Sequence, residues 1–360
     1  MKKIKFSFLA VALIALAVSC KKNDASTVLP LVTNGVYVLN QGNYGHNNTT
    51  FTYYDFATAI ATTDYYKDVN QSSLGDGGSD FIVYGGKIYI VMNSSGNVTV
   101  ANAHTAKLID TVSFIIGGIN KQPENIVAYG NNVFVSSTDG TVAVIDTATL
   151  AITKEIIVGT NPAQMVVAGS NLYVSNTGAI AAFTSYIYDS TLSVINLSTL
   201  TETTKIKVGM NPGALVTDNA GNVYVACAGD YTPANPALLA KVSIATNSVV
   251  FTADTAVYSM RYYNNLLYVT PAYGSTAASL RALNTTDFSA VHPSFITDGT
   301  VITAAYGLDI DPSNGDVYVD DARDYKSSGE VYCFDQTGKK KLSFTVAPGI
   351  SPCKVVLIHQ

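Results

Sequence analysis

The sequence lacks the features that most enzyme assignments depend on. Its 360 residues contain no tryptophan, four cysteines, four histidines and only 13% charged residues. The histidines, at positions 46, 104, 292 and 359, lie far apart, and no His-Glu-x-x-His zinc motif is present. A Gly-x-Ser-x-Gly nucleophile turn and a glycine-rich phosphate loop are missing as well. The sequence therefore gives no ground for metalloprotease, serine hydrolase or nucleotide hydrolase chemistry.

Basic residues and cysteines are also too sparse to suggest nucleic-acid binding or a metal site. Beyond residue 19 the chain has 18 Lys and Arg against 26 Asp and Glu, and its one basic run is Lys339–Lys341. Phosphate binding requires clustered Lys and Arg, so we expect no nucleic-acid partner. Cys227, Cys333 and Cys353 show neither Cys-x-x-Cys spacing nor zinc-type spacing with histidine. We predict no metal site and no cofactor, and interpret Cys227 and Cys333 as buried apolar residues.

The first residues predict export and a lipid anchor. Met1–Lys5 is basic and Phe6–Val18 is apolar apart from one serine, which is typical of a secretory signal. The apolar run is shorter than the ~20 residues of a transmembrane helix. Cys20 follows directly and resembles the lipobox cysteine of bacterial lipoproteins, which implies acylation and membrane attachment through the lipid alone; an ordinary signal peptide is the alternative. We predict a signal peptide over residues 1–19, a tether over 20–34 and one domain over 35–360.

A short apolar run with a central aromatic residue recurs seven times along that domain. Successive aromatic positions are 39 to 52 residues apart, close to the ~40–50 residues of one four-stranded propeller blade. They are Tyr37, Tyr89, Phe134, Tyr173, Tyr224, Tyr268 and Tyr318. Turns rich in Gly and Asn precede most of these runs and mark tight hairpins. We predict an all-β fold, a seven-bladed β-propeller, whose blade strands we name A to D in chain order, the aromatic strand being B.

The two ends of the repeat predict how the ring closes. The first repeat opens at strand B, within Gly35–Leu39, and the chain ends on an unpaired strand A, Lys354–Ile358. We expect this C-terminal strand to complete the N-terminal blade, which removes free sheet edges.

Helical periodicity is confined to the signal peptide. The acidic segment 309–316 lacks the terminal Glu of a calcium loop, and we interpret it as an A–B turn.

Several repeat motifs resemble those of a known group of propellers. Leu172–Asn176 followed by Val208–Pro212 resembles the Tyr-Val-Thr-Asn repeat, and Val158–Pro162 has the same form. The opening segment Val36–Gly45 resembles surface-layer-type propeller lipoproteins of the Bacteroidota. That resemblance implies a cell-envelope lipoprotein, surface-exposed on the outer membrane. The best-understood members of the group capture cobalamin and pass it to a TonB-dependent transporter, so the resemblance implies the same kind of nutrient uptake and partner.

Long B–C connections are the candidate binding sites, since loops on a rigid scaffold carry function. The B–C and D–A connections of a propeller lie on one face, and five B–C connections are long: 40–50, 175–191, 226–238, 270–279 and 320–329. Their tyrosines offer flat apolar faces and their amides offer paired donors and acceptors. The candidate ligand-binding residues are Asn40, Gln41, Tyr44, His46, Asn176, Tyr186, Asp230, Tyr231, Tyr273, Asp320, Arg323 and Tyr325.

The leading hypothesis is a binding module that captures a small ligand, a corrinoid or a glycan, on this loop-rich face. An envelope scaffold that grips a partner protein is one alternative. A carbohydrate-active hydrolase or lyase is another alternative. A glycosidase needs two carboxyl groups at a fixed separation. The acids that could supply such a pair are Asp76, Glu124, Asp230, Asp320 and Asp324. With no catalytic motif and no catalytic residue to name, we favour a binding role over an enzyme.

Overall fold

The computed structural model describes residues 33–182, 185–218, 220–272 and 280–359. These residues form thirty β-strands and one short helix, α1 (Tyr65–Asn70). The strands are β1 (Thr33–Asn40), β2 (Thr50–Asp55), β3 (Ile60–Thr62), β4 (Gly78–Tyr84), β5 (Lys87–Met92), β6 (Asn97–Asn102), β7 (Leu108–Ser113), β8 (Ile115–Ile116), β9 (Ile119–Asn120), β10 (Pro123–Tyr129), β11 (Asn132–Ser137), β12 (Thr141–Asp146), β13 (Ile152–Ile157), β14 (Pro162–Ala168), β15 (Asn171–Ala182), β16 (Ser185–Asn196), β17 (Thr201–Lys207), β18 (Pro212–Thr217), β19 (Asn222–Cys227), β20 (Leu238–Ser243), β21 (Ser248–Ala253), β22 (Met260–Tyr263), β23 (Leu266–Val269), β24 (Arg281–Asn284), β25 (Ala290–His292), β26 (Ala305–Ile310), β27 (Val317–Asp321), β28 (Ser328–Phe334), β29 (Lys340–Ile350) and β30 (Pro352–His359).

Seven four-stranded antiparallel sheets form the blades of a seven-bladed β-propeller, which confirms the predicted fold. Blade I has the strand order β30-β1-β2-β3, and blades II to VII are β4–β7, β10–β13, β14–β17, β18–β21, β22–β25 and β26–β29. The small hairpin β8–β9 lies between blades II and III. Strand A is the first strand in the order of each blade, and the seven A strands pack side by side around the centre of the ring.

The recurring aromatic residue of strand B anchors each blade. All seven are buried, and several pack between two blades. A buried tyrosine hydroxyl needs a hydrogen-bond partner. Tyr37 donates to the carbonyl oxygen of Ala103 in the next blade at 3.0 Å, and Tyr173 donates to Oδ1 of Asn247 at 2.8 Å. The aromatic repeat therefore serves packing between blades.

The C-terminal strand closes the ring as predicted. β30 pairs antiparallel with β1, with Val355 opposite Val38 and Leu357 opposite Val36. Val355, Val36 and Val38 share one core cluster with residues of blade VII. Burial of these side chains therefore links the two ends of the chain.

Two local expectations were wrong. The segment 175–191 is not a loop, because β15 and β16 continue as a paired extension from Gly178–Tyr188 to Ala182–Ser185. A helix occurs where none was expected, since α1 occupies the connection between β3 and β4. Among the described residues, no helix has the length and apolar character needed to cross a membrane.

Candidate functional site

The antiparallel blades give the ring two different faces. The B–C and D–A connections share one side, which we call the loop face, and the A–B and C–D turns share the other, the turn face. Thr33 begins β1 at the turn face and Asn40 ends it at the loop face. The acidic segment 309–316 forms the turn between β26 and β27, where Oδ1 of Asp311 accepts hydrogen bonds from the backbone and hydroxyl of Ser313. This confirms its interpretation as an A–B turn.

A polar cleft of about 430 Å³ opens on the loop face across blades II to V. Amide and hydroxyl side chains dominate its walls, with a single carboxyl group among them. Its lining residues are Asn93, Gln122, Glu124, Thr138, Asn161, Ala163, Thr177, Tyr186 and Asn211. A half-buried surface with many hydrogen-bonding groups and little charge suits a neutral, hydroxyl-rich ligand.

Backbone geometry places three of these amides in equivalent positions. Gln122, Asn161 and Asn211 each precede the proline that starts strand A, and their φ angles are 52°, 50° and 55°. This left-handed conformation is uncommon outside glycine and is enriched in asparagine. The repeated turn therefore brings one amide per blade from blades III, IV and V to the rim of the cleft.

Glu124 is the one acid of the cleft, and it is held in a partly buried position. Its Oε2 accepts a hydrogen bond from Nδ2 of Asn93 at 2.8 Å. Burial raises the pKa of Glu124 to about 7, and the negative charge of Asp80 contributes to this rise. The hydrogen bond from Asn93 lowers the pKa and so opposes it. At neutral pH this carboxyl can therefore donate or accept a hydrogen bond.

Below the cleft, polar side chains link successive A strands. Oδ2 of Asp80 accepts from Nδ2 of Asn125 and from the backbone N–H of Ile126. Asn125 in turn accepts from the backbone of Met165 at 2.9 Å. Because each buried acceptor is satisfied by the next blade, these bonds fix the spacing of the strands that carry the cleft.

A cluster of tyrosines lies at the loop face on blades VI and VII. The rings of Tyr258 and Tyr306 stack with centroids 6.0 Å apart, and Tyr325 meets Tyr306 edge-on at 5.5 Å. The Tyr306 hydroxyl donates to Oε1 of Gln41 at 2.8 Å. Burial of the hydroxyl group raises the pKa of Tyr258 to about 12, and a hydrogen bond with Tyr306 opposes this rise. Because the A strands of all blades surround the channel, the tyrosine cluster and the cleft border the same central opening.

The predicted residues Asn40 and Asn176 are fully buried. Each occupies the same position of strand B and clamps strand C. Nδ2 of Asn176 donates to the hydroxyls of Thr191 and Ser193 at 2.9 and 3.0 Å, and Nδ2 of Asn40 donates to Thr50 and Thr52 at 3.1 and 3.0 Å. Their amides therefore hold strands B and C of the blade together.

Asp320 is also fully buried, in contrast to its expected place in a loop. Neither of its carboxyl oxygens has a hydrogen-bond partner among the described residues. Burial and then Asp309 raise the pKa of Asp320 well above its usual range, against the cations Arg261 and Lys354. A Cβ at Gly307 would lie 2.0 Å from Oδ2 of Asp320, so the glycine provides the room for this carboxyl group.

The other predicted residues fall into two groups on the loop face. Tyr186 lines the cleft, and its neighbour Tyr188 lies near Asp230 and Tyr231 of the next blade. Across the opening, Gln41 and Tyr325 belong to the tyrosine cluster. Tyr44 is highly exposed, His46 is exposed, and Arg323 forms an ion pair with Glu330 at 2.5 Å. Tyr273 and Cys20 lie outside the described residues.

Tyr258, Tyr306 and Asn93 are not among the residues predicted from the sequence, in which the Asn-Pro motifs indicated the fold alone. The available signal was the D–A connection, which lies on the same face as the B–C connection. The three cysteines of the described region are free thiols, and Cys227 and Cys333 are buried as expected. Burial raises the pKa of each of these two thiols to about 12.

Comparison with known proteins identifies the domain. Residues 34–350 match the family model described as Domain of unknown function (DUF5074). The chain belongs to this family. No curated protein matches the chain. The description of the family names no activity.

Solved structures share the fold at low sequence identity. A quinonprotein alcohol dehydrogenase-like protein from Bacteroides thetaiotaomicron is 15% identical, with a TM-score of 0.63 over 91% of this chain and 79% of its own. Kuenenia stuttgartiensis hydrazine synthase is 17% identical, with a TM-score of 0.57 over 70% and 74%. The computationally designed Ika8 protein is 12% identical, with a TM-score of 0.55 over 85% and 86%. These likenesses concern the propeller fold alone.

Proposed function

We propose that the chain is a binding module that captures a neutral, hydroxyl-rich small ligand of the glycan class in the polar cleft of its loop face. The cleft itself carries the proposal, because it combines amides from three successive blades with the hydroxyls of Thr138, Thr177 and Tyr186. Sugar hydroxyls act as donors and acceptors at once, and amide side chains offer both functions in a fixed geometry. A corrinoid is the other ligand expected from the family resemblance.

Size favours the glycan over the corrinoid. A volume of about 430 Å³ is near the lower end of the ~300–1,000 Å³ of small-molecule sites. A large, flat macrocycle would have to rest across the mouth, whereas a short sugar chain can enter. Among the described residues that line the cleft, Glu124 is the one carboxyl group, so the pair of acids required for glycoside hydrolysis is not assembled there. Binding is therefore a better fit than turnover.

The proposed setting is the cell envelope, with a lipid anchor at Cys20 and display on the outer membrane. Because β1 starts at the turn face, an anchored chain would hold that face towards the membrane and present the cleft away from it. A ligand captured on the outward face would then be passed to a TonB-dependent transporter, the partner implied by the resemblance.

Exposed apolar side chains favour a second candidate, a scaffold for a partner protein. Tyr44, Ile119, Ile187 and Tyr231 lie on the loop face and are 64–85% exposed. Aromatic and aliphatic groups of this kind mark protein contact surfaces when they occur together. Cross-linking of one stoichiometric envelope partner in the absence of any small ligand would support the scaffold over the binding module.

A thermal-shift screen tests the proposed function. The probes are neutral oligosaccharides built from glucose, galactose, mannose or N-acetylglucosamine, from monosaccharide to hexasaccharide, with cyanocobalamin as the corrinoid. A ligand that binds only the folded chain adds about 2.7 kcal/mol of stability at a hundredfold excess over Kd. We expect a raised melting temperature with one oligosaccharide class. A shift with cyanocobalamin alone would replace the glycan by a corrinoid, and no shift with any probe would contradict the proposal.

A further inference from the structure

The tyrosine cluster has a geometry that packing of the propeller does not explain. Tyr258 is 47% exposed and Tyr325 is 38% exposed, although both belong to one group of rings. Tyrosines that serve the core of this fold are buried, as Tyr89 and Tyr224 show. Clustered aromatic rings that remain open to solvent at the mouth of a cavity are typical of binding surfaces.

Hydrogen bonds hold these rings in fixed positions. Tyr306, at the centre of the group, donates to Gln41 of blade I, and Nδ2 of Asn43 donates to the carbonyl oxygen of Tyr325 at 3.1 Å. Gln41 itself is tied to the ring closure, since its N–H donates to the carbonyl oxygen of Ser351. The φ angle of Tyr325 is +60°, a left-handed conformation that a non-glycine residue adopts only when its surroundings require it. The exposed rings are therefore preorganised.

The cluster faces the polar cleft across the opening of the channel. Glu124 lies on strand A of blade III, and Tyr258 lies two residues before strand A of blade VI. Both strands belong to the ring of A strands around the central channel, so the two residues lie at the same mouth of that channel. A ligand that fills the cleft and continues towards blade VI would therefore meet the tyrosines next.

We propose that Tyr258 and Tyr325 form a second subsite, a stacking platform for a sugar ring, so that the loop face binds an oligosaccharide rather than a monosaccharide. The inference rests on the proposed function, and it adds the position and the chain length of the ligand. One face of a pyranose ring presents C–H groups that pack on an aromatic ring, and its hydroxyls can bond to the tyrosine hydroxyls at the ring edge. The cleft supplies hydrogen bonds to one end of the chain, and the platform supplies apolar contact to the other.

Calorimetric titration with the sugar class found in the screen, from the shortest to the longest oligomer, tests this inference. For the unmodified chain we expect the longest oligomer to bind about tenfold more tightly than the shortest that fills the cleft, which corresponds to ~1.4 kcal/mol. In the double variant Tyr258→Ala/Tyr325→Ala this tenfold gain should vanish, with the affinity of the shortest oligomer retained. Tyr129→Ala is the matched control, because Tyr129 is 44% exposed at the turn-face end of the strand that carries Glu124.

The possible results separate the two proposals. An affinity gain with chain length that survives the double substitution would overturn the platform and leave the cleft intact. Equal affinities of the unmodified chain for oligosaccharides of all lengths would also overturn the platform and leave the cleft intact. Absence of binding for every length would overturn the proposed function and the platform together. Melting temperatures of both variants check the fold, which we expect to be retained because the replaced side chains are partly exposed.

Discussion

Glu124 should make the stability of the chain depend on pH in a direction opposite to that of most carboxylates. In the folded state its pKa is about 7, against an ordinary value of 4.5, because burial and the charge of Asp80 favour the protonated form. The folded chain therefore holds this proton more tightly than the unfolded chain. The corresponding stability is fully present below about pH 4.5 and is lost as the pH rises to about 7.

The size of the effect follows from the two pKa values. The difference between 4.5 and about 7 corresponds to roughly 3 kcal/mol at 1.36 kcal/mol per unit. Solvent at the mouth of the cleft screens part of the charge, so we expect about 1–3 kcal/mol. Glu124→Gln removes the ionisation and keeps an oxygen that can accept the hydrogen bond from Asn93. The variant should thus be about 1–3 kcal/mol more stable than the unmodified chain near pH 8 and about equally stable near pH 4.5.

Urea unfolding at a series of pH values measures this difference through the transition midpoints. Subtraction of the two curves cancels the contributions of all other titrating groups. Glu155→Gln is the control, since Glu155 lies on the outer strand β13 and forms a surface ion pair with Lys121. A stability difference between Glu124→Gln and the unmodified chain that stays constant from acid to neutral pH would refute the reasoning.

Three further predictions concern the scaffold. Deletion of residues 352–359 should abolish the single cooperative melting transition seen by calorimetry, because β30 is the innermost strand of blade I. A truncated chain that melts like the full chain would show that closure of the ring by β30 is dispensable. Asn176→Ala should lower the free energy of unfolding, measured by urea titration, by about 1–3 kcal/mol, because it removes the hydrogen bonds of Asn176 to two hydroxyls and one backbone N–H. A loss below ~0.5 kcal/mol would contradict the role of Asn176 in joining the strands. Gly307→Ala should destabilise the chain by more than ~2 kcal/mol, because the added Cβ would clash with Oδ2 of Asp320. Asp320→Ser removes that oxygen and should recover part of the lost stability. A double-mutant cycle with no coupling would contradict the fit between the two residues.

The fold was predictable because each blade repeats one local signal. Tyr89, Phe134 and Tyr173 each lie in a short β-branched run, and a turn with positive φ precedes each of those strands. Local propensity, hydrophobic pattern and turn chemistry agree at these positions, and such agreement specifies a structure. The ring closure followed from counting strands, since an unpaired strand A at the end matched a missing strand A at the start.

The extension of β15 and β16 could not be predicted in the same way. Gly178 has a φ angle of +102° and lies at a shift in the pairing register. A glycine in this setting usually indicates the end of a strand, whereas here it is a bulge after which pairing resumes. The burial of Asp320 could not be predicted for a related reason, because only the fold shows that Gly307 opens a buried space for it.

The candidate site was predictable in its face and in part of its composition. Gln41, Tyr186 and Tyr325 lie at or near the opening, since long B–C connections must surround it. Glu124 lies on strand A of blade III, and Tyr258 lies in the D–A connection before strand A of blade VI. Their location at one mouth of the channel depends on blades III and VI facing each other across the ring, which is a property of the closed propeller and not of either segment.

The most direct test of the binding role of the cleft is a calorimetric titration of its asparagine rim with the best oligosaccharide of the screen. Asn161→Gly/Asn211→Gly removes two amides while keeping a residue that accepts positive φ, and Asn264→Gly is the matched left-handed asparagine at the turn face. Two hydrogen bonds at about 1 kcal/mol each predict a loss of about thirtyfold in affinity for the double variant and no change for the control. Unchanged affinity in the double variant would show that the ligand binds elsewhere and would contradict the account.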